Sequence, residues 1–119
     1  MAIHTNIHEQ VGSIFMEGRF DFLVHREFKQ AYTDMLNNPL INEIEVNLQH
    51  LDFMDSTALG MLLLLRERVN AVNKIITLSN PSKIASKLLW VANFDKQFTI
   101  KGFNEFHFDG DTGTAEVPK

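Results

Sequence analysis

The stretch from Ile44 to Val72 constrains the fold most, because it sets a strand and a helix in immediate succession. Ile44, Val46 and Leu48 alternate with Glu45 and Asn47, the period of a strand that buries one face. Thr57 to Val72 contains no proline and is rich in Leu, Met and Ala, which are good helix formers. The intervening residues read as a loop of about seven residues that ends in a helix cap at Asp55 or Ser56. Amides left unpaired in a first helical turn, together with the positive end of the helix dipole, favour an anion at this point. A hydroxyl here is well placed to carry a phosphate, although capping alone is the ordinary role of a serine or aspartate at a helix start.

Projected at about 100° per residue, the helix has a core stripe of Ala58, Met61, Leu62, Leu65, Val69 and Val72. Leu59 and Leu63 fall outside that stripe, beside Arg66 and Asn70, and form a second apolar strip that begins next to Ser56. An apolar pair adjoining a phosphosite resembles a docking surface. Gly60 lowers helix propensity by about 1 kcal/mol relative to alanine. Either it admits a partner's backbone or it relieves a tight contact with the sheet.

Elsewhere, Ile3, Thr5 and Ile7 alternate with His4, Asn6 and His8, and Val11 to Glu17 supplies a second extended segment, predicting a hairpin. Gly18 to Asp21 reads as a turn ending in a helix cap, after which Val24, Phe28, Ala31, Tyr32 and Met35 recur at helical spacing as far as Asn37-Asn38-Pro39. Ile75 to Leu78 is a short strand. Asn80-Pro81 is placed to start a helix whose inner face is Ile84, Leu88 and Val91. Asn93 closes it, and Phe98 to Phe103 adds a last strand. From Asp109 onward glycine, threonine and charge replace the apolar pattern, which predicts a flexible tail over 109–119. Phe103, Phe106 and Phe108 either cover a core edge or offer an aromatic contact. Strands interleaved with three helices predict a single α/β domain over residues 1–108 with a mixed sheet of four to five strands.

Composition restricts the function classes. The formal charge of −4 and the absence of a basic run argue against nucleic-acid binding. With no cysteine there is neither a disulfide framework nor a cysteine-ligated zinc site. The longest apolar run, Ala58 to Leu65, is far short of the ~20 residues needed to cross a bilayer. The expectation is a cytoplasmic protein without cofactor or metal.

The run from Ile44 to Gly60, with its core Phe53-Met54-Asp55-Ser56-Thr57-Ala58-Leu59-Gly60, resembles the signature of STAS domains, specifically those of bacterial anti-sigma factor antagonists. That resemblance implies that the helices pack mainly on one face of the sheet. It also implies that Ser56 is the phosphoacceptor, with Asp55, Thr57 and Gly60 as its neighbours. The implied partners are an anti-sigma factor or related serine kinase and a metal-dependent serine phosphatase. Asp21, Leu59, Leu63, Arg66 and Trp90 are the candidate partner-binding residues. The match departs at Asn47, where an aspartate is common, at Arg19, which reverses the charge of an acidic turn position, and at Trp90, usually polar.

Three other functions compete with a phosphorylation switch. Ser56 with His50 and Asp52 or Asp55 has the residue types of a hydrolase triad but lacks the Gly-x-Ser-x-Gly elbow. His4 and His8 lie about 13 Å apart on a strand, too far for one metal ion. A constitutive adaptor subunit of a lipid-transport ATPase complex is the remaining alternative, since proteins of this fold also serve in that role. The chain has no Gly-x-x-x-x-Gly-Lys phosphate loop, so no catalytic residue is assigned.

Overall fold

The computed structural model describes residues 3–102. A hairpin opens the chain: β1 (Ile3–His8) and β2 (Val11–Phe20) pair antiparallel about Glu9 and Gln10, with Glu9 at φ +57°. A 3₁₀ turn (Phe22–Val24) leads into α1 (His25–Leu36), followed by β3 (Glu43–Met54), α2 (Ser56–Ala71), β4 (Ile75–Ser79) and α3 (Lys83–Val91). A second 3₁₀ turn (Phe94–Lys96) precedes β5 (Thr99–Lys101). The five strands lie in the order β1-β2-β3-β4-β5, and every pairing after the hairpin is parallel.

That order determines where the helices go. The crossovers β2-α1-β3, β3-α2-β4 and β4-α3-β5 all step the same way across the sheet, and right-handed connections then place their helices on one face. Ile14, Met16, Ile44, Val46, Leu48 and Leu78 supply the buried side of the sheet, meeting Phe28 and Tyr32 of α1, Leu62, Leu65 and Val69 of α2, and Leu89 of α3. Phe20, Phe28 and Tyr32 form an aromatic run with successive ring centroids 5.1 and 5.4 Å apart. On the opposite face, Glu45 accepts hydrogen bonds from Ser13 and Ser79, and Glu43 accepts one from Thr77, so carboxylates and hydroxyls tie β2, β3 and β4 together.

The junction after β3 is much tighter than the sequence suggests. No seven-residue loop exists: the strand continues to Met54 and only Asp55 separates it from α2. Val11 pairs with Glu43, Glu17 with His50 and Arg19 with Phe53, so β3 takes up one extra residue at each of two irregularities. Each extra residue inverts the alternation of faces. Leu48, Leu51 and Met54 are therefore buried at a spacing of three, which hides the strand from a period-two reading. Gly18 sits at the second irregularity with φ +80°, a conformation that L side chains adopt at a cost.

Other expectations also need correction. Val72 is not in the core stripe: it is the C-terminal cap of α2 and 47% exposed, because the helix ends where the sheet no longer covers it. In α3 the inner face is Ala85, Ser86 and Leu89, with the expected Leu88 half-buried against the core, whereas Ile84 and Val91 are exposed. The cap of that helix is Ser82, whose hydroxyl accepts from the Ala85 amide at 3.2 Å. Asn80 instead adopts φ +47° before Pro81, so the helix starts later and faces differently. β5 is shorter than Phe98–Phe103, and Phe103, Phe106, Phe108 and the 109–119 tail lie outside the described residues.

Candidate functional site

Parallel pairing of β2 with β3 brings the ends of both strands together, with Phe20 opposite Met54. Each strand is followed at once by an aspartate that starts a helical turn. Asp21 is buried and caps the 3₁₀ turn, accepting from the Leu23 amide at 3.0 Å. Asp55 caps α2, its Oδ1 accepting from the Thr57 amide at 3.0 Å, the Ala58 amide at 3.2 Å and the Thr57 hydroxyl.

The cap question is thereby answered in favour of Asp55. Ser56 is the first residue of α2 and exposed, and among the described residues nothing bonds its hydroxyl. The aspartate satisfies the helix end, and the serine is left facing solvent. Thr57, by contrast, donates its hydroxyl to Asp55, so its side chain is engaged in the cap.

The Asp55 carboxyl is held below its ordinary value of 3.8, first by the Thr57 hydroxyl and then, against the opposing effect of burial, by the Ala58 and Thr57 amides and the charge of Arg19. A depressed folded-state value means that Asp55 stabilises the fold above the ordinary carboxylate range and that this contribution is lost as pH falls through the folded value. Asp55→Asn keeps a capping oxygen but cannot titrate. Urea unfolding from pH 7 down to about pH 3 is expected to show a shallower acid loss of stability for Asp55→Asn than for the wild type.

Arg19 stands at this corner. Its Nε donates to Asp21 Oδ2 at 3.1 Å, and its guanidinium lies 4.1 Å from the centroid of the Phe53 ring. The side chain is nevertheless 60% exposed.

The other predicted partner-binding residues spread more widely than the helical projection suggests. Leu59 is half-buried and packs on the core, whereas Leu63 is exposed. Arg66 is half-buried with its guanidinium 5.9 Å from the Phe98 ring, about 15 Å along α2 from Ser56. Trp90 is on α3 and 36% exposed. Asp21 is directed inward to its cap. A feature absent from the sequence reading is the pair Phe22 and Leu23, 66% and 83% exposed, directly after Asp21. Their signal is positional: two apolar residues following a strand end that must lie beside the end of β3. Phe22 stacks on His25 with centroids 5.3 Å apart.

Gly60 is exposed, and a Cβ built there meets no atom within 4 Å. The internal-contact explanation is therefore excluded. Gly60→Ala should raise stability by about 0.5–1 kcal/mol, since nothing offsets the gain in helix propensity. If this face receives a partner's backbone, the same variant binds that partner more weakly; parallel unfolding and binding measurements separate the two effects.

Among the described residues, no group of three or more His, Cys, Asp or Glu is arranged to hold a metal, and no helix is long and apolar enough to cross a membrane. His50 is separated from Met54 by about 13 Å of strand, too far from Ser56 for a proton relay.

Comparison with known proteins places the chain in a family. The family model described as "Mlab, STAS domain" matches residues 3–102. The chain belongs to the STAS domain family. It is 40% identical over 88 residues to a STAS-domain containing protein of Pseudomonas aeruginosa (strain UCBPP-PA14), an alignment covering 74% of this chain and 85% of the relative. Among solved structures, the anti-sigma factor antagonist SpoIIAA in its unphosphorylated form superposes with a TM-score of 0.72 at 20% identity, covering 97% of this chain and all of that one. Bacillus SpoIIAA in the phosphorylated form gives 0.66 at 20% identity, over 83% of this chain and 90% of that one. An anti-sigma factor antagonist from Mycobacterium paratuberculosis gives 0.73 at 15% identity, over 83% of both chains. These structures share the fold of this chain, a five-stranded mixed sheet with three helices.

Proposed function

We propose that this STAS protein is an anti-sigma factor antagonist-like binding switch, controlled by phosphorylation of Ser56. The unphosphorylated form binds an anti-sigma factor, a serine kinase or a similar regulator, and phosphorylation releases it. The observation that carries this reading is the division of labour at the start of α2: Asp55 is the cap, so the outward Ser56 hydroxyl is free to react. Exposed Phe22, Leu23 and Leu63 supply apolar surface on the neighbouring elements. The kinase transfers the γ-phosphoryl group of ATP to Ser56 Oγ, the hydroxyl proton leaves, and ADP is the product. A metal-dependent phosphatase returns the hydroxyl. In this reading the chain is a regulatory protein of the cytoplasm and neither an enzyme nor a nucleic-acid binder.

The phosphate adds about 1.5 to 2 negative charges and three acceptor oxygens at neutral pH. The helix N-terminus favours that charge by about 0.3–1 kcal/mol, and Asp55 opposes it by a similar amount, so the fold persists. The test is the occupancy of Ser56 in protein recovered from its native cell, read by phosphopeptide mass spectrometry with and without the co-purifying partner. Phosphate on Ser56 in the unbound fraction and its absence from the bound fraction is the expected result; an unmodified Ser56 in both overturns the reading. The alternative reading, which rests on the family resemblance, is a constitutive STAS adaptor subunit of a lipid-transport ATPase complex. Recovery with a membrane ATPase irrespective of Ser56 identifies that case.

A further inference from the structure

The charge balance at the two strand ends leaves a problem for a phosphorylated Ser56. Its immediate neighbour Asp55 is ionised at neutral pH, with a carboxyl held below its ordinary value. Asp21 begins the adjacent turn, opposite in the register from the start of α2. A phosphate placed there without a cation faces the Asp55 carboxylate beside it, with Asp21 on the adjacent turn.

Arg19 is the cation that the fold delivers to this corner. Its Cα is paired with Phe53, and the aromatic ring under its guanidinium holds the side chain toward the end of β3. Its bond to Asp21 uses only Nε, leaving the two Nη groups outside that contact. Its charge is the smallest of the influences that lower the Asp55 carboxyl, and it acts toward the ionised form. A guanidinium binds phosphate through paired N–H donors, which suits the unused edge of Arg19. On this basis, and resting on the reading of Ser56 as a phosphoacceptor, we propose that Arg19 is the internal counter-ion of phosphorylated Ser56. The Nη edge turns onto the phosphate oxygens while the guanidinium stays over the Phe53 ring. The modification is then held by its own chain, and Asp21 loses part of its ion pair to the new anion. Arg19 is a positioning residue: it changes the ionisation and orientation of the phosphate and takes no part in its transfer.

The experiment uses the full chain carrying phosphoserine installed at position 56 during synthesis, so that it requires no kinase. Phosphorus-31 NMR follows the second ionisation of the phosphate, ordinarily near pH 6, in wild type, Arg19→Ala, Arg19→Lys and Asp21→Asn backgrounds. The wild-type phosphate is expected to ionise about half to one pH unit lower than in Arg19→Ala, a screened version of the effect of a neighbouring arginine on a carboxyl. Arg19→Lys keeps a point charge without the paired donors and falls between them. Asp21→Asn retains a cap, removes the competing carboxylate and lowers the ionisation further. The Arg19 Nε nitrogen signal should follow the same titration curve. Equal ionisation in wild type and Arg19→Ala, or an Arg19 signal indifferent to the phosphate, overturns the proposal. Occupancy of Ser56 in cells is read separately, so absence of natural phosphorylation removes the functional reading without being confused with failure of the Arg19 contact.

Discussion

Ser56→Asp is expected to weaken binding of the regulatory partner by roughly thirty- to a thousand-fold, while Ser56→Ala binds as wild type does. The reason is where the charge lies after docking. In the free protein the aspartate sits at the first position of α2, where the helix dipole tolerates it and water solvates it. Pressed against a partner with no cation to meet it, the same carboxylate loses that water. An unpaired buried charge costs about 2–4 kcal/mol here, and each 1.4 kcal/mol or so is tenfold in Kd. Alanine removes the hydroxyl without touching the cap, because Asp55 supplies the oxygen that the Thr57 and Ala58 amides require. Isothermal titration of the purified pair is the measurement, with circular dichroism showing that both variants stay folded. Unchanged affinity in Ser56→Asp removes the switch and leaves Ser56 as a surface residue.

Phe28→Ala is expected to cost about 3–5 kcal/mol of stability, a large share of the roughly 5–15 kcal/mol that holds a domain of this size together. Phe28 is 1% exposed and bridges Phe20 of β2 to Tyr32 of α1. Removing its ring leaves a void between the sheet and the first helix, and the flanking rings lose their edge contacts. The 3₁₀ turn carrying Phe22 and Leu23 is anchored through the same helix, so damage to this cluster also loosens the corner beside Ser56. Urea denaturation reads the loss as a lower midpoint with an unchanged slope. A change below about 1 kcal/mol shows that the cluster relaxes to fill the gap.

The exposed Gly60 is the one feature of α2 that works against the helix, and the partly exposed leucines Leu63 and Leu64 lie a turn further on. A helix selected for stability alone has no use for the glycine. Whether that glycine serves contact with another molecule is what the Gly60→Ala comparison tests directly.

The element order, the α/β class, the hairpin and the phosphosite candidate were legible in the residues because each depends on local chemistry. Alternation at Ile44, Val46 and Leu48, helix formers from Thr57 onward, and the Asp55-Ser56 pair carry that information within a few positions of chain. Three things were decided only in three dimensions. The extra residues that β3 takes up against β2 turned an expected loop into strand, since register belongs to a pair of strands and is invisible in one. The inner face of α3 went to Ala85 and Leu89 over the larger Ile84 and Val91, because apolar residues occupy more than one face of this helix and only its packing against the sheet selects the buried stripe. Arg19, Asp21, Phe22 and Leu23 became neighbours of Ser56 because β2 and β3 end side by side, more than thirty residues apart in sequence. The sequence by itself determined the order of the elements and placed the Asp55-Ser56 pair at a helix start, because both follow from local chemistry; only the packing of parallel strands decided which charges and apolar side chains surround that pair.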